Sequence, residues 1–473
     1  MINEVMEVEN GINPNSSDLF DDDGRLKRTG SVWTAYAHLI TGVIGAGVLS
    51  LAWAMAQLGW FLGILCIVLF SAITLYTANL LADCYRSPHP VTGKRNTTYM
   101  DAVKVHLGGK MHVYCGVVQY GMLAGYGIGY TITIALSVVT ILKNGCYAKN
   151  GIEAPACRFS FNPYMIAVGI IEIVLSQIPN FHDLAWLSIL AAIMSFGYSF
   201  IGVGLSLATV IQGKGAKTYL FWNTQAHISA NDVWNKLAAL GNVALASAIA
   251  QISIDIQDSL KSSPAENKVM KKANVLGMST MAIIFLLCSC SGYAAFGSLT
   301  PSNILDSSGF KKPLWLVDSA NVFIIIHLIG AYQVLIQPFY HIVEILASER
   351  WPNSSFITKE HPVKIGKMII SMNLFRLVWR SIFVVVATVL AMALPFFNYM
   401  LSLLGAIGFW PSTIYFPVEM HIVRNKIRKG SFKWIGLQTL SVTCFLVSVV
   451  AACGAIQGLT KAVGKHKPFM YEE

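Results

Sequence analysis

Eight stretches of the chain run without a single Asp, Glu, Lys or Arg: 29–82, 111–142, 184–213, 237–254, 273–305, 319–343, 381–418 and 434–460. They are apolar throughout rather than striped or alternating. A helix that is hydrophobic all round belongs in a large core or in a bilayer. Crossing a hydrocarbon layer of about 30 Å takes roughly 20 apolar residues, so 29–82 and 381–418 are each long enough for two helices. The first divides at Gln57-Leu58-Gly59-Trp60 and the second at Pro395, a residue suited to a helix boundary. Residues 163–180 add one span interrupted only by Glu172. The pattern predicts eleven membrane helices, at about 33–56, 61–84, 112–142, 163–180, 184–211, 237–259, 273–297, 314–345, 376–394, 397–422 and 434–460.

Composition agrees. Of 473 residues, 55% are hydrophobic and 12% charged, about half the charge of a soluble domain, and the mean hydropathy is +0.57. Too little polar surface remains to keep such a chain in water. The chain reads as an all-α polytopic membrane protein, so its net charge of +10 calls for no nucleic acid partner; Lys and Arg mark the cytoplasmic loops. With the N-terminus inside, inner segments hold 23 Lys and Arg and outer segments 11, which orients the N-terminus to the cytoplasm and the C-terminus outside. Residues 1–28, with seven acidic and three basic residues and no apolar core, read as a disordered cytoplasmic tail. Residues 29–460 form the membrane domain and 461–473 a short extracellular tail.

Cys146 and Cys157 fall in the outer loop 143–162, where an oxidising space lets them pair or leaves two thiols; a disulfide is expected. Cys66, Cys115, Cys288, Cys290, Cys444 and Cys453 read as packing residues, and no metal site is expected. The sequons at Asn15, Asn96 and Asn353 all fall on the inner side, so none is expected to carry glycan.

Two spans contain clusters that suit a helix poorly. The first reads Thr41-Gly42-Val43-Ile44-Gly45-Ala46-Gly47, and each interior Gly costs about 1 kcal/mol against Ala. Such a cluster serves either close helix packing or an unwound segment whose backbone faces a cavity. The sixth, Leu237 to Gln251, is again rich in small residues and is followed by Asp255 and Asp258. It lies five spans after the first. An odd helix number makes two five-helix repeats inverted, and inverted repeats whose first helices are both discontinuous define a secondary transporter with a midplane site. The repeats would cover about 33–211 and 237–422, with helix eleven at 434–460. Amino ends of half-helices favour a carboxylate and carbonyl ends a cation, and an amino acid zwitterion presents both.

The stretch TGVIGAGVLSLAWAMAQLGW, Thr41 to Trp60, closely resembles the first span of the plant amino acid permeases, members of the amino acid/auxin permease family in the amino acid–polyamine–organocation superfamily. The likeness continues through Gln177-Ile178-Pro179-Asn180-Phe181-His182, Ile256-Gln257-Asp258-Ser259-Leu260, Tyr293-Ala294-Ala295-Phe296-Gly297, Ile326 to Val334, Gly408-Phe409-Trp410-Pro411 and Tyr415 to Met420. The resemblance implies a five-plus-five inverted repeat and proton-coupled amino acid import across the plasma membrane. It implies no cofactor beyond the coupling proton, and the expected partners are amino acid, protons and lipid, with the chain acting as a monomer. Related permeases tend to have aromatic residues where this chain has Ser247 and Ile249, and Glu where it has Asp255, so its substrate range is expected to differ. The candidate substrate residues are Thr41, Ile44, Gly45, Ala46, Gly47, Tyr120, Tyr126, Ala246, Ser247, Ile249 and Ala250.

A titratable group at membrane depth is a functional candidate by default. His38 precedes Gly42 by one turn and His327 lies mid-span in the eighth helix. Each either exchanges a proton near neutral pH or stays neutral on a backbone carbonyl; the resemblance, which carries histidines at both positions, favours coupling. Asp255 either titrates with transport or pairs with an inner-loop base. Glu172 is a weaker candidate. Asp318, Glu344 and Glu419 lie near span ends, and His182 and Asp183 in a tight inner turn. No P-loop, HExxH or GxSxG pattern suggests an ATP-driven pump or an enzyme. An auxin or other organic-acid importer and a non-transporting receptor are the alternatives.

Overall fold

The structure, a computed structural model, describes residues 20–25, 27–151, 154–178, 185–221, 230–306, 309–365, 368–465 and 469. Residues 1–19 of the expected tail, with the Asn15 sequon, the His182–Asp183 turn and most of the C-terminal tail lie outside them. Among the described residues nine helices are long and apolar enough to cross a membrane, and Asn162–Ser176 is a shorter apolar one.

Helix α1 (Val32–Val43) starts at a capping box, in which Ser31 Oγ accepts from the Thr34 amide and Thr34 Oγ1 from the Ser31 amide. It stops where Ile44 leaves helical geometry, with φ −77° and ψ 79°. Helix α2 (Ala46–Asp83) bends at Gly59, whose φ of 77° is left-handed. The Phe221 carbonyl occupies the place a side chain would take there, so only Gly fits. The bend frees two amides, and both are satisfied: Trp60 N donates to the Tyr219 carbonyl and Phe61 N to that of Leu220. The first expected span is thus α1 with the part of α2 before Gly59, and the second expected span is the helix after it.

A surface helix, α3 (Tyr99–Leu107), N-capped by Thr98, leads into α4 (Gly109–Asn150), and Cys146 at its end is disulfide-bonded to Cys157. Then come α5 (Asn162–Ser176), α6 (Ala185–Ile211), α7 (Ala230–Ser247), α8 (Ala250–Asp258), α9 (Glu266–Phe296) and α10 (Leu314–Arg350). A single turn, α11 (Ser355–Thr358), and an antiparallel ladder pairing Glu360–Ile365 with Met368–Asn373 precede α12 (Leu374–Ala393). The tenth expected span is α13 (Phe397–Gly408), a π-helical stretch at Phe409–Tyr415 that contains Pro411, and α14 (Phe416–Arg424); α15 (Phe432–Lys465) closes the chain. The amphipathic α3, the ladder and the π turn are additions to the expected pattern.

Small residues let backbones meet at the centre of the bundle. A side chain on Gly241 of α7 would strike the Ser402 carbonyl of α13, and one on Gly405 would strike the Gly241 carbonyl. The large apolar residues left exposed, among them Leu69, Val117, Ile170, Phe200, Val386 and Leu446, face outward from the bundle, where lipid solvates them.

The end of the tail departs from the expectation of disorder. Arg28 contacts Asp21 at 3.1 Å, Asp23 at 2.7 Å and Asp258 at 3.0 Å. Arg86 contacts Glu266 and Asp22, both at 2.7 Å, and Arg95 contacts Asp22 at 2.8 Å. Burial works against the charge of Arg86, and the hydrogen bonds to Glu266 and Asp22 overcome it, raising its pKa. Buried guanidinium groups require counterions, and the run of aspartates supplies them. Gly30 adds a strand-like contact to the end of α8, with its N–H on Ser259 and its carbonyl accepting from Lys261.

Candidate functional site

Both expected discontinuities are present. Ile44 and Gly45 separate α1 from α2, and Ala248 and Ile249 separate α7 from α8. The breaks lie side by side: a side chain on Gly47 would sit 3.5 Å from Ala246 Cα, and one on Gly42 would strike Ile252. The amino end of α2 therefore meets the carbonyl end of α7, and the carbonyl end of α1 meets the amino end of α8. Each junction offers positive and negative ends of helix dipoles to one space.

The first break is held open by α6. The Ile44 carbonyl accepts from Ser195 Oγ at 2.8 Å and from Tyr198 Oη at 2.9 Å, and Tyr198 also reaches the Gly45 carbonyl at 3.2 Å. The amide of Ile44 is spent on Ile40 and that of Gly45 on Val43. This corrects the expectation that amides from Ile44 to Gly47 all face a ligand. The Ala46 and Gly47 amides open α2, where the first turn has no intrahelical acceptor. The Ala46 side chain is outside what the structure describes.

A cavity of about 50 Å³ lies between the breaks, lined by Gly45, Gly47, Tyr126, Tyr130, Ala246 and Ile249 among others. A second cavity, of about 840 Å³, opens on the N-terminal side of the bundle, with His38, Thr41, Gln119, Asp255, Gln337 and Glu344 in its wall. Gly42, Gln251, Ile252 and Leu335 line both, so they form the constriction between them. One liquid water takes about 30 Å³; the inner cavity, as it stands, is contracted below the size of an amino acid. Entry from the vestibule runs past the Ile252 and Leu335 side chains.

His327 is buried on α10 beside the first break. Its Nδ1 lies 3.1 Å from the Ala191 carbonyl and 3.2 Å from Ser195 Oγ. A carbonyl only accepts, so Nδ1 carries a proton and Nε2 is left as an acceptor in the neutral ring. Nε2 has no partner and lies 3.7 Å from the place a Gly45 side chain would take. His38 and Asp255 share the vestibule wall, and the Asp255 side chain is open to that space.

Besides Ile44, which lines neither cavity, three expected substrate residues are turned away. Tyr120 packs on Phe339, with ring centroids 6.1 Å apart, and its neighbour Gln119 takes the vestibule position. Ser247 Oγ folds back onto the Val243 carbonyl at 3.0 Å. Ala250 packs with Ile254 and Phe416 in a separate apolar cluster. A helix turns by about 100° per residue, so an assignment one position off lands on another face. Ser195, Tyr198, Gln119, Gln251 and Gln337 were not anticipated; the available signal was the pairing of two hydroxyls three residues apart in the apolar α6.

A family model described as transmembrane amino acid transporter protein matches residues 28–461. Amino acid permease 8 of Arabidopsis thaliana is 53% identical to this chain, covering 95% of it and 95% of the permease. Amino acid permease 1 of the same plant is 52% identical, with 95% and 93% covered. The crystal structure of MhsT in complex with L-phenylalanine matches with a TM-score of 0.54, over 91% of this chain and 100% of that one, at 9% identity. That likeness is one of fold.

Proposed function

The chain belongs to the transmembrane amino acid transporter family, and from that premise we propose that it is a proton-coupled symporter importing amino acids across the plasma membrane by alternating access. The observation that carries this reading is the apposition of the two breaks. A zwitterion needs a positive and a negative pole a few ångströms apart, and two half-helix junctions side by side supply both without a buried charged side chain. The substrate carboxylate would lie on the amides of Ala46 and Gly47, and the ammonium group toward the carbonyl end of α7. Tyr126, Tyr130 and Ile249 would surround the side chain.

The excess of Lys and Arg on the N-terminal side makes that side cytoplasmic, so the vestibule is the route by which substrate leaves. Ile252 and Leu335 then act as the inner closure. His327, His38 and Asp255 are the candidates for the coupling proton. His327 couples most directly, because a proton on Nε2 would stand beside the first break. Protonation biases the conformational equilibrium only through different proton affinity in the two states. One chain supplies every group invoked here, so a monomer suffices.

The test is uptake of a panel of labelled amino acids, with labelled auxin alongside, in a transport-deficient cell with and without an imposed pH gradient. The reading expects amino acid uptake that the gradient drives above equilibrium, and a lower accumulation ratio in His327→Gln. Uptake of auxin alone, or accumulation indifferent to the gradient, would overturn it.

A further inference from the structure

Glu172, in α5, is 0% exposed. Its Oε2 accepts from Gln333 Nε2 of α10 at 2.6 Å, and the same Nε2 reaches the Glu172 carbonyl at 3.3 Å. Oε1 has no hydrogen-bond partner, and neither has Gln333 Oε1. Helices α12, α4 and α10 pack on α5. From α10, Tyr332 and Tyr340 come close enough to Glu172 to interact with it electrostatically. From α12, Arg380 binds the Ser176 carbonyl one turn further along α5 and lies over the Tyr340 ring, 5.1 Å from its centre. That guanidinium is already committed to Glu344, at 2.8 Å. Neither α4 nor any other described element brings a cation within ion-pair distance of Glu172.

An isolated carboxylate in a dry interior is disfavoured unless paired. One amide donor does not pair it, so the arrangement is that of a neutral carboxylic acid beside an amide. A half-satisfied buried network in a native fold requires an explanation. A packing role alone would be met by an apolar side chain. A chain of neighbours leads from the vestibule toward the carboxyl: Arg380 and Glu344 line that cavity, Arg380 lies over the Tyr340 ring, and Tyr340 interacts with Glu172. Gln333 lies on the same helix as His327, less than two turns away.

We propose that Glu172 is a further proton-carrying residue of the transport cycle, loaded in the conformation seen here and exchanging its proton with the vestibule past Tyr340 and Arg380. On loading, the proton leaves water in the vestibule and bonds to a carboxyl oxygen; on release the bond breaks and water takes the proton. The ionised carboxylate draws Gln333 and Arg380 differently, which shifts α10 and α12 against α5. This inference rests on the proton-coupled reading.

Full-length protein in proteoliposomes under a pH gradient tests both. For one proton per substrate, wild type accumulates amino acid about tenfold per pH unit. If wild type does not accumulate, the coupling reading fails and this proposal with it. If it does, Glu172→Gln should bring the ratio close to one while reducing counterflow far less. The pair Glu172→Asp and Glu172→Asn, matched in size, repeats the test if the Gln variant does not fold: Asp retains gradient-driven accumulation and Asn loses it. A Gln or Asn variant that concentrates substrate to the wild-type ratio overturns the proposal and leaves proton coupling standing. Asp255→Asn protein needs no change at residue 172. It should still show a protonated-carboxyl infrared band that vanishes on alkalinisation, and the absence of that band would equally overturn the proposal.

Discussion

Removing the Tyr198 hydroxyl should collapse the first break by a calculable amount. Tyr198 donates to two carbonyls, those of Ile44 and Gly45, and Ser195 donates to Ile44 as well. In Tyr198→Phe the Gly45 carbonyl keeps only the Val48 amide, at 3.3 Å, and the Ile44 carbonyl keeps only Ser195. Losing one hydrogen bond where each acceptor keeps another costs about 0.5–1.5 kcal/mol. If the unwound segment is the binding-competent form, that cost lowers its population, and apparent affinity falls in proportion, by about 2- to 12-fold. Ser195→Ala alone leaves Ile44 bonded to Tyr198 and should cost less. The double variant orphans the Ile44 carbonyl, which either single variant leaves bonded, so its loss should exceed the sum of the singles by about 0.5–3 kcal/mol. The assay is the half-saturation concentration for counterflow in membranes, with thermal midpoints in detergent as a check on folding. A wild-type half-saturation in Tyr198→Phe, or strict additivity in the cycle, would falsify the claim that these hydroxyls hold the break open.

Three further outcomes follow from other parts of the fold. Gly405→Ala should lower stability by about 1–3 kcal/mol through overpacking against the Gly241 carbonyl, whereas Gly436→Ala, with open space around it, should gain up to about 1 kcal/mol from helix propensity; thermal midpoints moving in the same direction would contradict this. His106 of α3 is pushed below its ordinary pKa, mainly by burial, with its Nδ1 held on the Ala102 carbonyl. The folded state therefore binds this proton less readily than the unfolded one, so stability present above about pH 6.5 should decline as the pH falls below it; His106→Gln should flatten that slope in pH-dependent melting. Cys146→Ser opens a link closed over 11 residues and should cost about 3 kcal/mol, seen as a lower midpoint that reductant does not shift further.

The run of charge-free stretches in 29–460 determined the membrane class and nearly every helix, because a bilayer demands apolar side chains on all faces of a spanning segment. Gly42, Gly45 and Gly47 marked the first break because glycine loses least by leaving a helix, and the five-span interval to the second cluster indicated an inverted repeat. Which side chains face the cavities was decided only in three dimensions. Tyr120 and Gln119 are neighbours in sequence, yet Gln119 alone lines the vestibule, because packing on Phe339 fixes the rotation of α4. Tyr198 and Ser195 lie about 150 residues from the carbonyls they hold, and nothing local ties a hydroxyl in one helix to an unwound turn in another. Glu172 and Gln333 meet across 161 residues for the same reason. The aspartates at 21–23 have the composition of a disordered tail, and two buried arginines from elsewhere in the fold, Arg86 and Arg95, hold them in place together with the tail's own Arg28. Periodicity and composition report what solvent a segment requires; partners distant in sequence are set by how the helices pack.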